Sequence, residues 1–219
     1  MRRASDNGDT LRIPLFPLNV VLLPKMPLPL HIFEERYKLM IGKCLEEDRP
    51  FGIVYQGSSG IRPVGCEAHI QRVISRYDDG RLDILTLGNN RFRVSEFLEE
   101  QSYMEGLVAP VRDTRSAGER SRRLAEEAIS LLTNLAEMTG HSIEQGVIAR
   151  LEPEEISFLV ASSGIFTLRE KQGFLELTST EERLTGTIER LREAIARREM
   201  VKGIQKVLGV AGDISHMLN

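Results

Sequence analysis

The sequence predicts an α+β protein in which a small, largely antiparallel β-barrel or sandwich with one helix is followed by an α-helical bundle with a long last helix. Three observations support this class. Short β-rich runs separated by turn residues fill the first half of the 219-residue chain. Strand patterning stops at residues 112–118. Beyond that point, apolar residues recur at the spacing of amphipathic helices, so strands and helices fall in separate halves of the chain.

The opening stretch, residues 13–37, combines apolar residues with prolines, and the rest of the chain is organised around it. The prolines are Pro14, Pro17, Pro24, Pro27 and Pro29. Because each proline fixes φ and lacks a backbone N–H, we expect neither a continuous helix nor a central strand, but short extended pieces joined by rigid corners. Directly afterwards, apolar residues at helical spacing predict an amphipathic helix over residues 34–47.

The next segment contains the clearest β signals. Residues 51–55 predict a buried strand, and the Gly-Ser-Ser-Gly run at residues 57–60 predicts a loop. Asp78-Asp-Gly80 lies between β-rich runs at 68–77 and 81–87, and it predicts a hairpin because such a turn needs a residue that adopts positive φ. Two further strands are predicted at residues 91–97 and 103–111.

The second half of the chain predicts helices. Residues 119–138 place their apolar side chains on one helical face and end at Thr139-Gly140. Shorter helices are predicted at residues 143–151, 153–163 and 167–177. The run Ser179-Thr-Glu-Glu182 fits a capping box that opens a long helix. Residues 202–219 carry glycines that weaken a helix, so this tail either packs onto a partner, such as a second subunit of a homo-oligomer, or frays.

These patterns divide the chain into four segments. The predicted segments are a disordered tail at residues 1–10, a β-barrel subdomain at 11–113, a helical subdomain at 114–201 and a C-terminal tail of uncertain order at 202–219. The first of these is polar and lacks the apolar residues that would tie it to a core.

Composition and charge argue against several functional classes. A net charge of −3 and a pI of about 5.9 do not suit a general polyanion binder, so nucleic acid is not an expected partner. No apolar run approaches the ~20 residues that cross a bilayer, and the first residues lack a secretory signal core, so we expect a cytoplasmic protein without membrane contact. The cysteines, Cys44 and Cys66, are too widely separated for a paired metal motif or a disulfide framework, and we expect neither metal nor cofactor.

Four motifs in the opening stretch carry a resemblance to a known family. They are Pro-Leu-Phe-Pro-Leu at residues 14–18, Val-Leu-Leu-Pro at 21–24, Pro-Leu-His-Ile-Phe-Glu at 29–34 and Arg-Tyr at 36–37. In this order they resemble the start of the Lon N-terminal domain, the substrate-binding domain of Lon proteases. Later motifs, Phe-Gly-Ile-Val at 51–54, Gly-Cys-Glu-Ala-His-Ile at 65–70 and Gly-Asn-Asn-Arg-Phe at 88–92, also follow the family's order.

The resemblance implies a compact barrel related to PUA folds and a role in binding protein. We therefore expect a non-catalytic module that holds exposed apolar or unfolded segments of client proteins, as an adaptor in protein quality control. Its expected partners are unfolded or misfolded proteins and an ATP-dependent protease. The candidate binding residues lie mainly in the rigid opening, and for each of them the alternative is burial in the core. They are Leu18, Val20, Leu22, Met26, Leu28, Phe33 and Tyr55.

The sequence offers no reaction centre. The phosphate-loop spacing Gly-x-x-x-x-Gly-Lys-Ser/Thr does not occur, so we expect no ATP hydrolysis. The four histidines, His31, His69, His141 and His216, have neither ligand spacing nor evident acidic partners. We expect His31 to be hydrogen-bonded inside the first corner of the barrel. Asp78, Asp79 and Asp83 are interpreted as turn residues rather than metal ligands.

An RNA or nucleotide binder that uses the PUA-like barrel is the alternative function. Such a binder would cluster basic residues with aromatic stacking platforms on one face. The barrel half supplies the basic residues Arg72, Arg76, Arg81, Arg91 and Arg93. We expect few exposed aromatic residues beside them, which favours the protein-binding function.

Overall fold

The computed structural model describes residues 10–114, 118–148 and 150–208, and it confirms the predicted α+β class. The strands are β1 (Leu11–Leu18), β2 (Pro27–Ile32), β3 (Phe51–Gly57), β4 (Gly60–Arg76), β5 (Leu82–Leu98) and β6 (Glu105–Val111). The helices are α1 (Glu35–Glu46), α2 (Glu119–Met138), α3 (Gln145–Ile148), α4 (Pro153–Ala161), α5 (Leu168–Glu176) and α6 (Thr180–Leu208). The chain forms two compact units. The first comprises residues up to Thr114 together with Phe166–Thr178, and the second comprises the remaining helical segments.

The first unit is a six-stranded sheet in the order β2-β5-β4-β3-β1-β6, and a further pairing of β5 with β6 closes it into a barrel. The long strands β4 and β5 each run through two parts of this sheet and have different partner strands in each part. Residues 60–68 of β4 pair with β3, whereas residues 69–76 pair with the first half of β5. That half of β5 also pairs with β2. We call the three-stranded part formed by β2, residues 69–76 and residues 82–88 the extension.

Strand β1 lies between β3 and β6, so the expectation that the proline-rich opening contains no central strand was wrong. The two ladders use different halves of β1. Residues 11–14 pair with β6, and residues 15–18 pair with β3. Pro14 and Pro17 therefore each belong to a half of β1 that pairs with only one neighbouring strand. In such a half-strand, a proline can turn its nitrogen, which lacks an N–H, to the unpaired side.

Strand β5 joins two runs that the sequence predicted as separate strands. Gly88, between them, signals a close approach rather than a break. A Cβ atom on Gly88 would lie 2.2 Å from the Leu23 carbonyl oxygen, a distance that no side chain tolerates. The backbone N–H of Gly88 donates to the Met26 carbonyl, and its carbonyl accepts from the N–H of Lys25. The glycine thus lets the loop before β2 pack on β5 while the strand continues.

The predicted hairpin and first helix are both present. Gly80 has φ of 81° in the turn between β4 and β5, and the N–H of Tyr77 donates to the Arg81 carbonyl across it. Helix α1 buries Tyr37, whose ring centroid lies 4.0 Å from that of Phe16. The turn and the helix are tied together, because Lys38 Nζ in α1 donates to the Asp79 carbonyl at 2.8 Å.

Helix α5 packs with the sheet, whereas the sequence placed residues 167–177 inside one continuous helical subdomain. A buried arginine explains the attachment. Arg91 Nη1 donates to the carbonyls of Leu175 and Leu177 at 3.1 and 2.5 Å, and Arg91 Nη2 contacts Asp113 Oδ1 at 2.5 Å. Local periodicity identifies a helix, but it carries no information about such a long-range contact.

The second unit contains α2, α3, α4 and α6. Helix α6 buries Leu184, Ile188, Leu191 and Ile195 on one face, as predicted. Residues 202–208 of the predicted C-terminal tail continue this helix, and residues 209–219 lie outside the described part, as do residues 1–9 of the predicted N-terminal tail. Buried Arg183 donates through Nε to Ser157 Oγ at 2.6 Å and lies over the Phe158 ring.

A candidate protein-binding face on the first unit

Alternation along β2 and β5 gives the extension two different faces. Leu28, Leu30 and Ile32 lie opposite Thr86, Ile84 and Leu82, and these side chains point inward. The intervening residues point outward, with Pro27 opposite Leu87, Pro29 opposite Leu85 and His31 opposite Asp83. On β4, Arg72 lies opposite Leu85 and Ser75 lies opposite Asp83. We call this outward surface the outer face; its centre is apolar.

Aromatic side chains crowd one end of the outer face. The rings of His31 and Phe33 stack with centroids 5.9 Å apart, and Tyr77 meets His31 edge-on at 6.0 Å. Phe33 is 59% exposed, Tyr77 is 41% exposed, and neighbouring Ile74 is 52% exposed. Ile74 is the extra residue of a β-bulge, because the β4–β5 register shifts between Val73 and Ser75. We call Phe33, His31 and Tyr77 the aromatic end.

Asp83 holds the aromatic end in place. Its Oδ1 atom lies 2.6 Å from His31 Nδ1, and its Oδ2 atom accepts a hydrogen bond from the Tyr77 hydroxyl at 2.6 Å. The bond from Tyr77, followed by that from His31, lowers the pKa of the Asp83 carboxyl, and the same hydroxyl bond raises the pKa of Tyr77. His31 is hydrogen-bonded as expected, but it is exposed rather than inside the barrel.

The free edge of β2 is poor in hydrogen-bond donors. β2 ends the strand order, so one side of it is unpaired in the sheet. A proline inside a paired strand must turn its nitrogen away from the ladder, which places Pro27 and Pro29 with their nitrogens at the free edge. The remaining edge of the extension, on β4, is interrupted by register shifts next to Gln71 and Ile74. Both features are known to discourage the addition of another strand.

The predicted binding residues do not form one surface. Phe33 lies in the aromatic end, whereas Leu18 lies beside Tyr55 on the neighbouring strands β1 and β3. Leu22 is only 3% exposed and belongs to the core, and Leu28 points to the inner face. Val20 and Met26 are half-buried.

Tyr77 and Leu85 belong to the outer face but were not predicted as binding residues. Asp83, Leu85 and Leu87 stand at alternate positions of the sequence, and this spacing could have predicted that they share one face of a strand. Three aromatic residues of the first unit, Phe33, Tyr77 and Phe97, are exposed.

No reaction centre emerges from the described residues. They contain no group of three or more histidine, cysteine or acidic side chains that could hold a metal ion. Burial raises the pKa of Cys44 to about 11 and that of Cys66 to about 12, which disfavours the thiolate that a nucleophile requires. Within the same part of the chain, none of the helices has the length and apolar character needed to cross a bilayer.

Comparisons with known proteins agree with the fold. The sequence pattern of the ATP-dependent protease La (LON) substrate-binding domain matches residues 12–193. "Lon protease 2" of Myxococcus xanthus is 26% identical over 93% of this chain, and "Lon protease" of Trichlorobacter lovleyi is 29% identical over 88%. The chain covers 26% and 25% of these two relatives, about a quarter of their length.

Two solved structures share the fold. The N-terminal domain of the Mycobacterium avium complex Lon protease aligns with a TM-score of 0.68 and 18% identity, covering 83% of this chain and 98% of that one. A Lon N-terminal domain protein from Xanthomonas campestris aligns with a TM-score of 0.64 and 20% identity, covering 82% and 98%.

Proposed function

Because the chain belongs to the ATP-dependent protease La (LON) substrate-binding domain family, we propose that it is a non-catalytic module whose outer face binds apolar or unfolded segments of client proteins. The observation that carries the choice of surface is the aromatic end. Two large rings, Phe33 and Tyr77, remain in solvent although the unit has a well-formed core. A contiguous exposed apolar surface of this kind is typical of an interaction site.

The aromatic end is suited to binding because it is already ordered. Asp83 fixes His31 and Tyr77 through hydrogen bonds, and Phe33 stacks on His31. A client therefore meets side chains that lose little conformational freedom on contact, which lowers the cost of association.

Recognition through side chains suits this surface better than strand addition. Pro27 and Pro29 remove donors from the free edge of β2, and bulges interrupt the free edge of β4. A client segment would lie across the outer face and place its apolar side chains against Leu85, Leu87 and the aromatic end.

An adaptor role belongs to the same proposal. The relatives that the chain matches are Lon proteases, which supports delivery of bound clients to an ATP-dependent protease. The cytoplasmic location expected from the sequence is also part of this proposal. Of the other predicted residues, Leu18 and Tyr55 stay as a second, smaller contact surface for clients.

A titration of a labelled, permanently unfolded polypeptide tests the proposal. We expect saturable binding to the chain, and we expect the double variant Phe33→Ala, Tyr77→Ala to weaken it roughly tenfold, as the loss of anchoring aromatic side chains does. Phe97→Ala is the matched control, because Phe97 is exposed in the barrel half of β5 and away from the outer face. Equal affinities for both variants, or no binding by the unaltered chain, would refute the proposal.

RNA binding is the second candidate, and the exposed rings near Arg72 and Arg76 are the observation in its favour. Two facts weigh against it. The faces of His31 and Phe33 are stacked on each other, so they offer less surface to a base. Arg81 and Arg36 form ion pairs with Asp79 and Glu34, which reduces the charge available to phosphates.

A further inference from the structure

Resting on that proposed function, we infer that protonation of His69 weakens the binding of apolar clients to the outer face. His69 lies opposite Leu87 on β5, and Leu87 lies opposite Pro27 on β2, so the imidazole belongs to the apolar part of this surface. The side chain of His69 is half-buried. The outer face thus holds two histidines, His31 in the aromatic end and His69 toward the other end, and they have different partners.

His31 faces a carboxylate. Its Nδ1 atom lies 2.6 Å from Asp83 Oδ1, and this contact suits both the neutral and the protonated imidazole, since Nδ1 can carry a hydrogen in each. The pKa of the Asp83 carboxyl is lowered, chiefly by the hydrogen bond from the Tyr77 hydroxyl, so this carboxylate stays ionised wherever a histidine changes its charge. A proton on His31 is therefore paired with a negative charge that is already present.

His69 has an amide as its partner. Its Nε2 atom lies 3.3 Å from Asn89 Nδ2, and because an amide nitrogen only donates, Nε2 accepts this hydrogen bond and the ring is neutral. Protonation turns Nε2 into a donor and removes the acceptor on which the bond depends. In the part of the chain that the structure describes, no carboxylate forms an ion pair with His69.

Three charged side chains lie on the segments around His69, and none of them pairs with its ring. Glu67, two residues earlier on β4, accepts a hydrogen bond from Asn90 Nδ2 at 2.9 Å. Arg72, farther along β4, is exposed on the outer face, and Lys25 is exposed in the loop before β2. A proton on His69 thus adds a positive charge that no side chain neutralises by direct contact.

An apolar client that covers Leu85 and Leu87 also covers the ring of His69. Removing water from a charged imidazole costs free energy, whereas a neutral imidazole carries no such penalty. Client binding and proton binding at His69 therefore oppose each other by the same factor. Histidines ordinarily change their charge near pH 6.5, so about a tenth of such rings are neutral at about pH 5.5. The loss of affinity at that pH is then at most roughly tenfold.

Titration of an end-blocked apolar peptide without ionisable side chains, at about pH 8 and about pH 5.5, tests the inference. We expect the affinity of the unaltered chain to fall roughly threefold to tenfold between these values. His69→Gln cannot be protonated, and the ratio of its two affinities should be near one. His31→Gln is the matched control and should keep the full ratio, because His31 is paired with Asp83.

A second variant changes the partner of His69 instead of the ring. Asn89→Asp gives His69 the kind of partner that His31 already has, so the charged ring would be paired at low pH. The fall in affinity between the two pH values should then shrink or reverse. Circular dichroism at both pH values checks that each variant stays folded.

The outcomes separate the role of His69 from the proposed function. Equal affinities of the unaltered chain at the two pH values overturn the role of His69 and leave client binding intact. A fall that persists in His69→Gln, or that disappears in His31→Gln, also overturns it, because another group is then responsible. Failure of both the peptide and the unfolded polypeptide to bind at either pH overturns the proposed function as well.

Discussion

Asp83 is the residue that fixes the conformation of the aromatic side chains on the candidate binding surface. It is one carboxylate with two strong donors, and both donors are aromatic side chains of the aromatic end. Exposed aromatic rings ordinarily occupy several rotamers, but the short bonds from His31 and Tyr77 restrict these two. The neighbouring Arg81 guanidinium, 4.9 Å from the Tyr77 ring centroid, limits that ring further.

The first residue-scale prediction concerns the titration of Asp83. We expect the pKa of the Asp83 carboxyl to lie below the ordinary value of about 3.9. We expect Tyr77→Phe to raise the pKa of Asp83, because the hydrogen bond from the Tyr77 hydroxyl is the largest cause of the lowered value. Since the folded-state pKa is the lower one, the stabilising contribution is present above the unfolded pKa and is lost as pH falls through the folded pKa. Carbon chemical shifts of the Asp83 carboxyl measure both values; an unchanged pKa in Tyr77→Phe would refute the assigned role.

A second residue-scale prediction concerns Arg91 and Asp113. Their side chains are 2% and 5% exposed and in contact at 2.5 Å. Arg91→Met leaves the Asp113 carboxylate buried without its cation, and we expect a loss of about 3–5 kcal/mol in the free energy of unfolding. Chemical denaturation measures the loss. The double variant Arg91→Met, Asp113→Leu should recover a large part of it; a double variant as unstable as the single one would show that the ion pair is not the cause.

At the scale of single elements, the prolines of β2 leave the free edge of this strand poor in donors for a further strand. Pro27 and Pro29 lie at alternate positions of the strand, opposite Leu87 and Leu85 of β5. We expect the double variant Pro27→Thr, Pro29→Thr to self-associate, because it restores donors to the free edge. Size-exclusion chromatography over a range of concentrations measures this. Pro24→Thr is the control, because Pro24 lies outside any strand, and its elution volume should match that of the unaltered chain. A double variant that also elutes like the unaltered chain would contradict the role given to the edge prolines.

The elements also show how far local patterns predict this fold. The Asp-Gly turn predicted the β4–β5 hairpin, and helical spacing predicted α2 with the bounds Glu119–Met138. Separate strands were predicted at residues 81–87 and 91–97, whereas β5 continues through Gly88, whose close contact with Leu23 is made by a distant part of the fold. The position of α5 depends on Arg91, more than eighty residues away, for the same reason. The local sequence predicts whether an element is a helix or a strand better than it predicts which other elements pack beside it.

The candidate site was harder to predict than the fold. Phe33 was identified from the rigid opening, and it is the one predicted residue that lies in the aromatic end. Leu22 and Leu28 have the same apolar character, but strand direction and packing turn them inward. Tyr77 joins Phe33 only through the pairing of β2 with β5 and of β5 with β4. Such a surface exists only after three distant segments have come together.

At the scale of the whole molecule, the proposed function is binding without catalysis. Its sequence contains no phosphate loop, and its cysteines are buried with raised pKa values. We expect these 219 residues to show neither ATP hydrolysis nor peptide cleavage. Phosphate release and a fluorogenic peptide measure the two activities. Turnover that co-purifies with the chain and persists at constant specific activity would contradict this prediction.

The central claim is that clients bind to the outer face of the extension. The most direct test is to map chemical-shift changes on the isotope-labelled chain during titration with the permanently unfolded polypeptide. The account predicts the largest changes at Phe33, Tyr77 and Leu85, and it predicts that the change at Leu85 is lost in the Phe33→Ala, Tyr77→Ala variant. Saturable changes centred on another surface, with those three residues unaffected, would contradict it.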